Sequence, residues 1–230
     1  MTLVDEILKK RGYGSRGARE AFLSPDYDAE KHDPFLLPDM DKAVDRLVQA
    51  KKRTEKVVIY GDYDIDGLTA STVMLESFEK FGLNATVFIP NRFVEGYGLS
   101  SSALDALAEN GAQLVVTVDC GSLSHTEIAH AATLGLDVIV TDHHSVAETM
   151  PPAVAVINPK RLLYDNPEAY SGFEIKDRGD IKPEERQKKP LYPFVDLAGV
   201  GVAFKLVQAL QTRLDGMPMG QEKWLLDLVA

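Results

Sequence analysis

With 230 residues that are 45% apolar and 26% charged, the chain can bury one sizeable core, in one large domain or one and a half. A net charge of −10 argues against a broad electrostatic grip on nucleic acid or anionic lipid, but not against a strand held locally by a metal and a few arginines. The single cysteine, Cys120, excludes an internal disulfide and points to a reducing cytoplasm; no apolar run reaches membrane-spanning length, and Asp5, Glu6, Lys9 and Lys10 break up any signal peptide.

Residues 3–10 read as a short amphipathic helix that stops near Gly12. Residues 13–38 are turn-rich, with scattered anchors such as Phe22 and Phe35. Residues 39–52 form a second helix, with Asp39 as N-cap and Met40, Ala43, Val44 and Leu47 on one face. Residues 1–55 therefore read as an N-terminal helical arm, and 56–230 as the main domain.

From there strands and helices alternate. Strand 57–61 leads to helix 67–82, and strand 85–89 to a glycine-containing loop. Helix 101–109 precedes strand 114–118. Helix 124–134 opens on the capping-box pattern Ser124-x-x-Glu127 and closes at Gly135. Strands 137–141 and 153–157 follow. Continuous β-branched runs alternating with helices predict a doubly wound α/β fold, a mainly parallel five-stranded sheet with helices on both faces. Residues 159–193 are polar, hold five prolines and read as a surface insertion. A strongly apolar helix is expected over 195–214, with Gly199 and Gly201 allowing close packing. A last one is expected over 220–229, apolar to its end, with an exposed Trp224 that predicts self-association.

Ligands of an open parallel sheet bind beyond the carboxyl ends of its strands. There the first strand delivers Asp62, Asp64 and Asp66, the second Asn91 and Arg92, and the third Asp119. The fourth delivers Asp142, His143 and His144, and the fifth Asn158. Each alone has a structural explanation, such as a helix cap or a buried histidine. Their convergence on one edge predicts a mixed Asp/His metal centre. Oxygen-rich ligand sets suit Mn²⁺ or Mg²⁺, and a pair of such ions suits phosphoryl hydrolysis. A second histidine beside a ligand histidine suits a general acid or a phosphate contact.

Asp142-His143-His144 after a Val-Ile-Val-Thr strand, with GDYDIDG at 61–67 and VTVDCGS at 116–122, resembles the DHH phosphoesterase superfamily. The stretches IPNRFVEGYGL (89–99), VINP (156–159), LAGVGVAFKL (197–206) and HDP (32–34) narrow the resemblance to the RecJ-type single-stranded-DNA exonucleases. The ordered set spans most of the chain. The resemblance implies a metal-dependent 5′→3′ exonuclease that acts on single-stranded DNA, releases 5′-mononucleotides and serves DNA repair and recombination. It assigns Asp62, Asp64 and Asp66 to the first metal motif and makes Asp119 a bridge between two ions. His143 becomes a metal ligand, His144 lies beside the scissile phosphate, Asp142 orients a histidine, and Asn91 and Arg92 contact substrate.

One departure stands out. In that family the stretch resembling 225–230 runs on to a further metal-binding aspartate, a DHH-associated domain and an OB-fold domain. The expectation is therefore a chain cut short, whose partners are single-stranded DNA, a missing C-terminal half and a single-strand-binding protein. Asp227 is expected to sit in a helix and not to replace the missing ligand. Two other readings within the superfamily stay open, a non-catalytic scaffold lobe and a phosphatase of small nucleotides or oligonucleotides. A haloacid-dehalogenase-like reading of DIDGLT (64–69) fails because Gly61, Asp62 and Tyr63 separate the strand from the nucleophile position.

Overall fold

The computed structural model describes residues 2–91, 93, 96–165 and 192–229. Five strands, β1 (Lys56–Gly61), β2 (Asn84–Phe88), β3 (Leu114–Val118), β4 (Asp137–Thr141) and β5 (Ala155–Ile157), pair in the order β2-β1-β3-β4-β5, every pair parallel. Parallel strands need covered faces, and alternation along each strand supplies two cores. Val57, Ile59, Leu114, Val116 and Ile139 enter one cluster; Val58, Tyr60, Val115, Val138 and Val140 enter the other.

The first cluster is covered by α4 (Met40–Arg53), α5 (Ile65–Lys80) and α9 (Gly199–Leu210), the second by α6 (Ser101–Glu109) and α7 (His125–Thr133). Every residue of α9 is buried, as expected for a helix apolar on all sides. Its N-terminus is capped from a distance: Gly199 and Val200 donate backbone N–H groups to the two oxygens of Asp66, at 2.8 and 2.7 Å. That long-range cap explains why the helix starts at Gly199 and not at 195.

Other departures have local causes. The stretch 13–38 is more helical than expected. Ser15 and Asp26 each accept backbone N–H bonds that start α2 (Arg16–Leu23) and α3 (Tyr27–Glu30), and Asp33 does the same for a 3₁₀ turn at Pro34–Leu36. Asp39 precedes α4 but does not cap it. Its backbone is left-handed (φ 54°), and its carboxylate binds Lys42, Arg161 and the Val156 N–H instead. Ser124 likewise makes no side-chain cap to α7. The expected strand 153–157 shortens to β5, and the C-terminal helix divides into a 3₁₀ turn at Gln221–Leu225 and α10 (Leu226–Val229). Asp227 sits in that helix, and Lys80 lies 4.8 Å over the half-exposed Trp224 ring. Of the expected insertion, Pro159–Arg161 form a 3₁₀ turn and α8 spans Leu162–Asp165, while residues 166–191 lie outside the described residues. Among the described residues no helix is long and apolar enough to cross a membrane.

Candidate metal centre

Register places the site. Gly61, Val118 and Thr141 pair across three adjacent strands, and Thr141 pairs on with Ile157. The next residue on each strand is therefore Asp62, Asp119, Asp142 or Asn158, and all four leave the sheet side by side. All four are buried. Because β2 and β3 flank β1 on opposite sides, the chain reverses direction across the sheet here, and the crevice at such a switch point is where ligands of this architecture bind.

Oxygens of Asp62, Asp64 and Asp119 lie within 4.8 Å of one another, and so do ligand atoms of Asp119, His143 and His144. Asp119 belongs to both groups. Its backbone is left-handed (φ 63°), an unusual state for a non-glycine residue, and its side chain is almost fully buried. His143 Nε2 stands 3.1 Å from Asp119 Oδ1 but not aligned for a hydrogen bond, so this buried oxygen has no donor among the described residues. Burial raises the Asp119 pKa, and Asp66 and Asp64 push it the same way against the pull of His143. This carboxylate packs directly against Gly199. A Cβ there would fall within 2.7 Å of Asp119 Cβ and closer still to Oδ1. Gly67 serves Asp62 similarly, since a Cβ at 67 would come within 2.7 Å of its Cβ.

Asp142 organises the loop after β4. It accepts the N–H groups of Ser122, His143 and His144 at 2.9, 2.7 and 3.1 Å, and lies 2.8 Å from His144 Nδ1. Burial opposes its charge, but bonds from His144 and Ser122 prevail and hold its pKa at about 2. The His144 pKa is raised in turn, chiefly by that bond. Asn158 completes the brace, donating to Ser122 Oγ at 2.8 Å and to His144 O at 2.9 Å.

The sequence-derived candidates separate into groups. Asp62, Asp64, Asp119, His143 and His144 come together. Asp66 stands outside both ligand groups, its oxygens accepting the α9 N–H groups, with His143 Nε2 3.6 Å away. Asn91 Oδ1 accepts the Phe93 N–H at 2.9 Å within its own loop. Arg92 lies outside the described residues. Sequence reasoning assigned no role to Tyr97, whose hydroxyl sits 3.1 Å from His144 Nδ1 and 3.5 Å from the Asp119 carbonyl. The only signal was its place between Gly96 and Gly98, both left-handed in the fold. Two cavities of about 310 and 260 Å³ lie elsewhere, around His32 and Gln208, and contain none of these candidates.

A family described as "DHH family, N-terminal domain" matches residues 56–230. The single-stranded-DNA-specific exonuclease RecJ of Bacillus subtilis is 39% identical over 208 residues, covering 90% of this chain and 23% of that protein. RecJ of Escherichia coli is 36% identical, covering 97% of this chain and 36% of its own length. The crystal structure of an exonuclease RecJ bound to manganese superposes with a TM-score of 0.63 at 30% identity, covering 84% of this chain and 42% of that one. RecJ from Thermus thermophilus in complex with Mn²⁺ gives a TM-score of 0.60 at 26% identity, over 100% of this chain and 30% of that one. The chain thus spans about a quarter to a third of the length of the curated relatives it matches.

Proposed function

Because the chain belongs to the DHH family, we propose that it is a divalent-cation-dependent phosphodiesterase that removes 5′-mononucleotides from single-stranded DNA in the 5′→3′ direction. The observation that carries this is Asp119. A buried carboxylate oxygen without a donor, between two clusters of ligand atoms, lacks a cation to complete its surroundings. Carboxylates with one or two imidazoles suit Mn²⁺ or Mg²⁺. Asp62, Asp64 and Asp119 would hold one ion, and Asp119 with His143 the second, while Asp66 supports the group by fixing α9. Bound there, two such ions polarise a phosphate and supply a hydroxide near neutral pH.

The chain's own groups do the rest. Asp142 accepts a hydrogen bond from Nδ1–H of His144, leaving Nε2 as the atom that would meet a phosphate oxygen or move a proton. Arg92 and Asn91, on the loop after β2, are proposed as further substrate contacts. The same reading places the activity in DNA repair in the cytoplasm, with a single-strand-binding protein and a C-terminal half as partners.

The test is release of mononucleotides from 5′-labelled single-stranded DNA with Mn²⁺, beside His143→Ala. Metal-dependent release that the variant lacks supports the proposal. No release, or release equal in the variant, contradicts it.

A further inference from the structure

The loops that supply the charged groups also carry large apolar side chains in the open. Ile65, between Asp64 and Asp66, is 81% exposed, and Leu68, one turn on in α5, is 46% exposed. Leu123 follows Ser122, whose N–H holds Asp142, and is 60% exposed. Tyr97, touching His144, is 55% exposed. Singly exposed apolar residues are ordinary on a protein surface. Here three stretches that carry or brace the site's charged groups, the first turn of α5, the loop at Tyr97 and the turn at Leu123, each expose one or two.

We infer that Ile65, Leu68, Leu123 and Tyr97 form an apolar platform for the unpaired bases of a single nucleic-acid strand whose phosphates lie at the metal centre. The inference rests on the proposed phosphodiesterase reading and adds how the chain selects an unpaired strand. Charge is the first reason. At −10 the chain has little long-range attraction for a polyanion, so contacts that do not depend on neutralising phosphates have to add to the few phosphate contacts at the metal centre. Chemistry is the second. Unstacked bases offer flat apolar faces that a duplex keeps hidden, and apolar and aromatic side chains receive them irrespective of base identity. A platform beside the acidic groups therefore favours single strands without reading sequence.

The experiment compares binding of fluorescein-labelled (dT)₁₂ with an abasic tetrahydrofuran strand of the same length, by polarisation with Mn²⁺. The proteins are the 230-residue chain and its Ile65→Ser/Leu123→Ser variant. Both substitutions are at exposed positions, and thermal melting checks that the fold is kept. The expected result is that (dT)₁₂ binds about tenfold or more tighter than the abasic strand, as base stacking at one or two sites would give. The double variant loses most of that preference while its abasic binding stays the same. Equal affinity for the two strands, an unchanged preference in the variant, or no binding of either strand overturns the inference. Base-dependent binding without hydrolysis would leave the platform standing and remove the nuclease reading, whereas hydrolysis without base preference would do the reverse.

Discussion

Asp119 combines three costs at one residue: a left-handed backbone, burial, and an oxygen with no donor. Each is on the order of 1–3 kcal/mol in general, and a fold keeps such a residue where its chemistry is used. Gly199 provides the space. The expected outcome for Gly199→Ala is a chain that still folds but binds Mn²⁺ at least about tenfold more weakly, as disturbance next to a ligand commonly does. Circular dichroism and a metal titration on one sample check both halves, and unchanged affinity would mean that the close approach is incidental. Asn158 acts one step further out, holding Ser122 and the His144 carbonyl together. Asn158→Ala should cost about 1–3 kcal/mol of stability, because Ser122 and the His144 carbonyl lose their partner in a buried place. A urea midpoint equal to wild type would contradict that brace.

At the scale of elements, the strands were legible because buried parallel strands read as unbroken β-branched runs, and the site followed because Asp62, Asp119, Asp142 and Asn158 each come one residue past the end of such a run. The caps were less legible. Asp39 and Ser124 have residue types that suit capping, yet tertiary partners or backbone geometry take them elsewhere. Asp66 is the sharpest case. Beside Asp62 and Asp64 it reads as one more ligand, and only the arrival of α9, 133 residues later, gives its carboxylate two backbone donors. Spacing along the chain carries no trace of that contact. Asp66→Ala should therefore lower stability by about 2–4 kcal/mol, the scale of two charge-assisted bonds at a helix N-terminus. The midpoint of urea unfolding should fall with its slope kept. An unchanged midpoint would return Asp66 to a purely ligating role.

Across the whole molecule, α9 ties the metal centre at its start to the N-terminal arm further along. Lys205, buried in that helix, donates to the His32 carbonyl at 3.0 Å, and its ammonium lies 5.6 Å over the Tyr192 ring. Burial lowers its pKa to about 8, Lys31 adds to the fall, and Asp33 opposes it. The folded state therefore disfavours the charged form, and the unfolded chain binds more protons in the interval between about 8 and 10.5. Stability is reduced in full below pH 8 and recovers as pH rises through that interval. Lys205→Met should be more stable than wild type by about 2 kcal/mol at pH 7, the transfer cost less one hydrogen bond, with the gain fading towards pH 10.5. Denaturation at about pH 7 and about pH 10 reads the difference directly; a gain that does not shrink with pH would contradict the titration.

A divalent cation on Asp119 is the premise on which the catalytic reading stands. Isothermal titration of Mn²⁺ into the chain and into Asp119→Asn tests it most directly. Replacing the carboxylate by an amide removes a buried charge, so the variant should melt no lower than wild type. The predicted result is saturable Mn²⁺ binding by the wild type that weakens more than about tenfold in the variant. Equal binding in the two proteins, or none in either, would contradict it.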